Sequence, residues 1–498
     1  MAYFKEREAE INGSLLAVLS GENILFLGPP GTAKTQLAKN ICQSIEGGNF
    51  FNYLLTSFST PEELFGPLSL KALEEDKFRR KIDGCLPTAH IALLDEIFKA
   101  SSAILNSLLT ILNEHKYHNG RELVDVPLLS VFGASNELPD ENESLEALYD
   151  RFLFRYRLSY IQDDENFRDL LFRSPEEFEP AATLRVSAIY ELRARAKDMP
   201  VDPDVEVIIT ELRKSLQLQE IEISDRCWKK VIQVLKVAAC SSGCPTVDRT
   251  MVLLLQHMLW NLPEERETIR KTVFEFAISG GISTEKLRQE AEDLQAAVSI
   301  ALKNELPVII ICDSCGEEFL LRQEIENHHI SHPNHSYTLK MEGSSRIYPY
   351  GNLVKEIDLL QAAAGKANQL SQAQKEIFET ELEALADRVE RIKYRLEAER
   401  ELLKNLMDAN IWLSTLDKNE ALLLHDTRST ELSELNDLIS KIRSMLGLQS
   451  RQTRSEPQPE LQPAKEAGKR EMEKISVSDS GSSVNSFMKG IGSRFKLR

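Results

Sequence analysis

The stretch GPPGTAKT, Gly28 to Thr35, has the residue types and spacing of a phosphate-binding loop. The apolar run NILFL precedes it, and QLAKNICQSI, which reads as a helix, follows. A glycine-rich turn between strand and helix points backbone N–H groups and the positive end of the helix at phosphate. Gly28, Pro29, Pro30, Gly31, Thr32, Ala33, Lys34 and Thr35 are therefore the expected nucleotide-binding residues, with Lys34 reaching the terminal phosphates of ATP and the Thr35 hydroxyl holding Mg2+. Ala33 departs from the pattern, which has glycine there, so this position must tolerate a Cβ. A second apolar run, IALLDE, ends in Asp95 and Glu96. At the end of a strand of a parallel sheet, Asp95 is placed for the Mg2+ shell and Glu96 for polarising an attacking water. A third run, LLSVFGASNE, delivers Asn136, whose amide could orient that water.

A separate chemistry lies in CDSCGEEFLLRQEIENHHISHPNH, residues 312–335. Cys312, Cys315, His328 and His332 have the spacing of a ββα zinc finger, with Phe319 and Ile325 as its small core. Two thiolates and two imidazoles suit a closed tetrahedral Zn2+ site, and metal binding would supply the stability that so small a core cannot. His329 and His335 stand close enough in sequence to be alternatives to His332 as the fourth ligand. The positions that read bases in DNA-binding fingers fall on Leu321, Glu324 and Asn327, none of them a guanine-reading cation, and no second finger adjoins. A protein-docking or spacer role is the better reading.

The elements that must position these groups follow from composition and pattern. At 498 residues, 42% of them apolar, the chain is long enough for several cores. A net charge of −18 makes protein the expected partner and nucleic acid an unfavourable one. The first residues lack the apolar core of a signal peptide, and no apolar run is long enough to span a bilayer, so a cytoplasmic protein without a transmembrane segment is expected. Residues 1–160 alternate buried-strand runs with helices and predict an α/β core around a mainly parallel sheet. Residues 161–262 read as an all-helical module, 263–306 as a charged helical connector, 307–340 as the zinc-finger-like module, 341–449 as a helical, coiled-coil extension and 450–498 as a disordered tail. The coiled-coil seam comprises Phe378, Leu382, Leu385, Val389, Ile392, Leu396, Leu403, Leu406 and Leu413, interrupted by Glu399 and Asn410. After an expected break near 417–427, Leu432, Leu435, Ile439 and Ile442 begin another helix, leaving an antiparallel hairpin and a long rod both open.

Taken in order, GPPGTAKT, STPEELFGPLS, LLDEI, ASNE, LYDRF and SDRCWKK resemble the MoxR branch of the AAA+ ATPases, closest to the RavA (regulatory ATPase variant A) group, over about residues 3–262. Alanine at position 33 is a habit of that branch. The resemblance implies a five-stranded parallel sheet with a helical lid, ATP between them, and a hexameric ring. It implies that Arg151 is an arginine finger entering the neighbouring subunit's site, and that Arg226 is a lid arginine sensing the γ-phosphate, with Ser224 as its helix cap. STPEELFG and KYHNGRELVDVP match two insertions of the branch that face a pore or client. A chaperone-like ATPase that remodels or activates a protein client is implied, acting with a von Willebrand factor A domain partner. A DNA-acting motor and a nucleotide-regulated scaffold are the alternatives. The Cys/His segment departs from the RavA pattern, so that group's partners do not carry over.

Overall fold

The computed structural model describes residues 4–138, 147–172, 180, 182–281, 283–302, 309–319, 322–341, 344–367 and 372–449. The expected disordered tail, 450–498, lies outside them. The described chain forms two units: the first holds residues up to 281 and 398–426, the second 283–397 and 427–449.

In the first unit the apolar runs become one parallel sheet. Its strands are β1 (Asn23–Leu27), β2 (Phe50–Leu54), β3 (Ile91–Asp95), β6 (Ser130–Ser135) and β7 (Phe152–Arg157), in the order β2-β3-β6-β1-β7. Strands β4 (Lys116–Asn119) and β5 (Glu122–Asp125) form a separate antiparallel hairpin. Strands β1 and β6 are buried along their whole length, as a sheet covered on both faces requires. Helices α1 (Glu8–Ser20), α2 (Lys34–Gln43) and α3 (Ser102–Glu114) bury apolar residues in the same core. Sequence pattern had shown four of the five strands; the fifth, FLFRYR, is hidden by its two arginines.

Helices α4 (Val186–Lys197), α5 (Pro203–Leu218), α6 (Asp225–Ser242) and α7 (Glu265–Ser279) surround a 3₁₀ segment, Arg249–His257. Ser224 caps α6 by accepting from the Cys227 N–H at 3.2 Å. The expected end of this module at 262 is too early. Helix α7 buries Ile269, Val273, Phe274, Ala277 and Ile278 in the core formed with α5 and α6, although its sequence reads as charged.

Residues 398–426 also belong here, as the turn end of a helical hairpin made by α11 (Gln372–Ala409) and α12 (Thr415–Met445). The turn is at 410–414, before the expected break at 417–427. Ser414 starts α12 as its cap, accepting from the Asp417 N–H at 3.1 Å. Trp412 is buried and donates from Nε1 to the Ala238 carbonyl at 3.2 Å and the Ser241 hydroxyl at 3.0 Å, both on α6. Arg249 pairs with Glu399 at 2.6 Å, and Arg270 pairs with Glu420.

The second unit holds α8 (Thr284–Leu302), a four-stranded sheet, α9 (Arg322–Ser331), α10 (Tyr350–Ala367) and the stems of the hairpin. The sheet runs β9-β8-β10-β11, with β8 Ile309–Cys312, β9 Glu318–Phe319, β10 Ser336–Met341 and β11 Ser344–Pro349, all pairs antiparallel. It is larger than the expected ββα finger: β11 occupies positions assigned to the helical extension from 341, because β10 finds a hairpin partner. In the stems, Leu382, Leu385, Val389 and Leu396 are buried, as are Leu432, Leu435, Ile439 and Ile442. Arg443 pairs with Glu383 at 2.5 Å across them, an antiparallel pairing. Helix α8 joins as a third helix rather than a connector. It buries Leu287, Ala291, Leu294 and Val298, and Arg288 bonds Glu434 of α12 at 2.7 Å while Glu290 pairs with Arg388 of α11.

Candidate functional site

The C-terminal edge of the parallel sheet carries the nucleotide loop. Gly28 leaves β1 at φ 148°, where an added Cβ would lie 2.3 Å from the Leu158 carbonyl oxygen, so only glycine fits. Gly31 is also at positive φ. Ala33 caps α2 at φ 65°, a left-handed conformation that costs an L-residue about 1 kcal/mol. The Cβ that the pattern lacks is therefore tolerated sterically but held in a strained loop.

Strand order then delivers the acidic pair and the amide beside this loop, because β3 pairs with β6 and β6 with β1. The Lys34 ammonium is buried and donates to the Gly28 carbonyl at 2.6 Å and to Asn136 Oδ1 at 3.2 Å. Asn136 Nδ2 donates in turn to Glu96 Oε1 at 2.7 Å, and the other Glu96 oxygen lies 3.1 Å from Lys99 Nζ. Burial lowers the Lys34 pKa, opposed by the charges of Asp95 and Glu96. A cation desolvated in this way gains from the arrival of phosphate. Asp95 turns Oδ1 to the Glu96 N–H at 3.1 Å, and Glu96 itself is left-handed at φ 53°. Thr35 is exposed at the first turn of α2. The Thr35 hydroxyl and the Asp95 carboxylate are hard oxygen donors of the kind Mg2+ takes alongside phosphate. A cavity of about 580 Å³ adjoins the loop, lined by Gly28, Pro30, Asn136, Arg157, Tyr160 and Pro263 among others, a size that suits a nucleotide.

Arg151 and Arg226 are elsewhere. Strand β7 runs parallel to β1 with Phe152 opposite Asn23, so Arg151 stands at the N-terminal edge of the sheet and Gly28 at the other. Five residues of strand separate those edges, about 16 Å. Arg226, at the start of α6, joins Arg151 there. The Asp150 carboxylate lies 2.9 Å from Arg151 and 3.7 Å from Arg226, and Arg226 also donates to Asn113 Oδ1 at 2.9 Å. Arg151 Nε is buried with no hydrogen-bond partner among the described residues, and burial, then Arg226, lowers the Arg151 pKa. Neither arginine meets Lys34 or Glu96 of its own chain. Sequence reasoning missed Asp150 and Asn113 as their tethers, since each is distant in sequence from Arg226. Arg155, within β7, is buried; it donates to the Trp260 carbonyl and stacks over Tyr149 at 4.5 Å.

The two insertions pack on each other. Thr60 and Glu63 form a capping box on the helix Pro61–Phe65, Phe65 stacks on Tyr117 of β4 at 5.2 Å, and Asn119 Oδ1 accepts from the Arg80 N–H at 2.7 Å. Around them Phe58 is 91% exposed and Phe78 65% exposed.

In the second unit, Cys312, Cys315, His328 and His335 gather donor atoms within 4.8 Å of one another. The fourth position departs from the expected His332. Helix α9 stops at Ser331, before Pro333, and the turn that follows brings His335 to Cys312 while His332 stays exposed. His329 stacks on Tyr350 at 3.5 Å instead. Asn327 is exposed, whereas Leu321 and the side chain of Glu324 lie outside the described residues.

Residues 1–189 match the MoxR domain in the MoxR-vWA-beta-propeller ternary systems, and residues 204–273 match an AAA lid domain. An uncharacterized protein of Methanocaldococcus jannaschii is 40% identical over 311 residues, 62% of this chain and 79% of its own. The chain belongs to the MoxR-type AAA+ ATPases. A second uncharacterized M. jannaschii protein is 43% identical to this MoxR-type chain over 277 residues, 55% of the chain and 73% of its own. A crystal structure of a candidate ATPase from Cytophaga hutchinsonii is similar over 55% of the chain and 90% of its own, at 20% identity and a TM-score of 0.44. The lid match runs to residue 273, in keeping with α7 as a lid helix. Among the described residues no helix is long and apolar enough to cross a membrane.

Proposed function

We propose that this chain hydrolyses ATP in a homo-oligomeric, hexameric ring of the RavA kind and uses the work to remodel or activate a protein client. One observation carries the reading: the groups suited to hydrolysis are divided between opposite edges of one sheet. Lys34, Asn136 and Glu96 are bonded in series at the C-terminal edge, and Arg151 and Arg226 are tethered on Asp150 at the other. Each edge is half of a site, and a head-to-tail neighbour supplies the complement.

In that composite site the loop from Gly28 to Thr35 binds the phosphates, and Thr35 and Asp95 would hold Mg2+, which when bound would supply positive charge against the phosphates. Glu96 polarises the water that Asn136 orients. Arg151, with Arg226 beside it, stabilises charge on the transferred phosphoryl group of the neighbour. The exposed aromatic residues Phe58 and Phe78 beside the packed insertions are the surface offered to a client. The matching family is named for systems containing a vWA component, which supports a von Willebrand factor A domain partner. The charge of −18 supports a protein client over nucleic acid, and a cytoplasmic setting accords with the composition.

The test is phosphate release by the full chain with Glu96→Gln. Glu96 accepts from Asn136 and lies outside the phosphate loop, so this variant should bind ATP about as the parent does, hold it without turnover and stabilise the ring. Undiminished turnover would remove Glu96 as the activating base.

A further inference from the structure

We infer that Cys312, Cys315, His328 and His335 form a closed, four-coordinate Zn2+ site that braces helix α9 against strands β8 and β10, with Tyr337 orienting the His328 ring and His332 outside the ligand set. This inference is independent of the ATPase reading and rests on a different unit of the chain.

The two closest sulfur–nitrogen pairs have the spacing of tetrahedral edges. Zn–S and Zn–N bonds of about 2.3 and 2.0 Å set such an edge near 3.5 Å. Cys312 Sγ lies 3.3 Å from His335 Nδ1, and Cys315 Sγ lies 3.2 Å from His328 Nε2. The four ligands come from four places that sequence folds separately. Cys312 ends β8, and Cys315 sits in the turn closed by the Gly316 N–H on the Cys312 carbonyl at 2.8 Å, with Gly316 at φ 75°. His328 projects from α9, and His335 immediately precedes β10, in which Tyr337 pairs with Cys312. Residues 335 and 337 are two apart and share one side of an extended chain. Accordingly the Tyr337 hydroxyl reaches His328 Nδ1 at 3.0 Å while His335 faces Cys312. That bond fixes the His328 ring with Nε2 toward the cluster, the orienting partner expected of a metal-bound imidazole.

His332 lies one turn beyond His328, but its ring is exposed and stacks on those of His328 and His335 at 4.7 and 4.8 Å. Glu317 Oε2 is 3.4 Å from His328 Nε2, but this side chain is 65% exposed and gains little by leaving water. Two thiolates and two imidazoles in a tetrahedron with no open position favour Zn2+ in a structural role. The need for it follows from the module's small apolar core, eight buried residues among those described, Cys312 included.

The experiment is zinc stoichiometry of the purified full chain by mass spectrometry, with affinity from chelator competition and geometry from the Co2+-exchanged absorption spectrum. The full chain should hold about one zinc, and its Co2+ form should show the strong visible bands of a tetrahedral S2N2 site. His335→Ala should weaken zinc binding by more than the ~10–100-fold typical of a supporting residue, and Tyr337→Phe by about that range. His332→Ala and Glu317→Gln should leave it unchanged. His335→Cys should restore binding with a spectrum of three thiolates, which separates loss of a ligand from loss of the fold. Zinc retained by His335→Ala and lost by His332→Ala would overturn the ligand set, and a metal-free folded chain would overturn the site.

Discussion

Replacing Arg151 by alanine tests the divided site directly. Arg151 immediately precedes β7 at the edge of the sheet opposite Gly28, and the five-residue strand between those edges spans about 16 Å, beyond the reach of an arginine side chain. The substitution therefore leaves Lys34, Asp95 and the loop of the same chain untouched, and nucleotide affinity should be close to that of the parent. Turnover should fall by about 10³ to 10⁵, the worth of an arginine finger. A Lys34→Ala chain should be inactive for the opposite reason, because it keeps Arg151 but loses the ammonium that Asn136 holds beside Glu96. Mixed in equal amounts, the two dead chains should recover activity. In a head-to-tail ring each interface joins one chain's loop to the next chain's arginine, so about a quarter of interfaces pair an intact loop with an intact Arg151. Phosphate release from the mixture should reach about that fraction of the parent rate. Arg226→Ala mixed with Lys34→Ala should recover in the same way, because Asp150 holds both arginines. A mixture as inactive as its components would refute the shared site, and activity of undiluted Arg151→Ala alone would refute the finger.

The remaining predictions concern the lid. Trp412→Ala removes a buried ring and two hydrogen bonds to α6, and should cost about 3–5 kcal/mol, read as faster hydrogen exchange in α6 and a lower denaturation midpoint; a cost under about 1 kcal/mol would mean that the hairpin end is not seated there. His257 is buried against Tyr156 at 4.5 Å, and burial depresses its pKa to about 4 from 6.5. Because the unfolded chain takes the proton first, its contribution is complete above pH 6.5 and is lost as pH falls towards 4, by up to about 3 kcal/mol. The difference between parent and His257→Phe denaturation curves should show that slope, and equal slopes would exclude the buried neutral imidazole.

What the sequence made legible was chemistry confined to consecutive residues. A phosphate loop needs its glycines, lysine and threonine within one turn, and IALLDE places its carboxylates directly after a buried strand, so both appear in linear order. Strand β7 was illegible because Arg155 interrupts its apolar run. Only in three dimensions do the Trp260 carbonyl, Asn261 Oδ1 at 3.1 Å and the Tyr149 ring compensate that buried cation. Asp150 looked like any acidic neighbour of Arg151; its second partner, Arg226, is brought to it by the fold of the lid. The fourth histidine could not be read from spacing either. Helical continuation favours His332, and only the stop at Ser331 and the turn through Pro333 select His335.

The helical extension shows why a seam pattern does not identify its own partner. Apolar residues at alternating steps of four and three say that one face of α11 is buried, and two polar positions in that face read as interruptions. Glu399 and Asn410 are instead contacts with the lid: Glu399 meets Arg249 at 2.6 Å, and Asn410 donates to the Thr250 hydroxyl at 3.3 Å while accepting from the Trp412 N–H at 3.1 Å. Leu403, Met407 and Leu413 lie in the same core as the lid helices. A polar residue in a coiled-coil seam fixes register between two helices at some cost in stability. Here the same residue types fix the seating of a helical turn on a 3₁₀ segment, Arg249–His257, whose Arg249, Thr250 and Gln256 side chains supply matching donors and acceptors. The lid of this ATPase thus includes 29 residues, 398–426, that lie more than a hundred positions beyond its sequence match at 204–273. Truncating the chain after the matched lid would remove Trp412 from α6 and leave Arg249 and Arg270 without Glu399 and Glu420, so the first unit is expected to need the hairpin in order to fold.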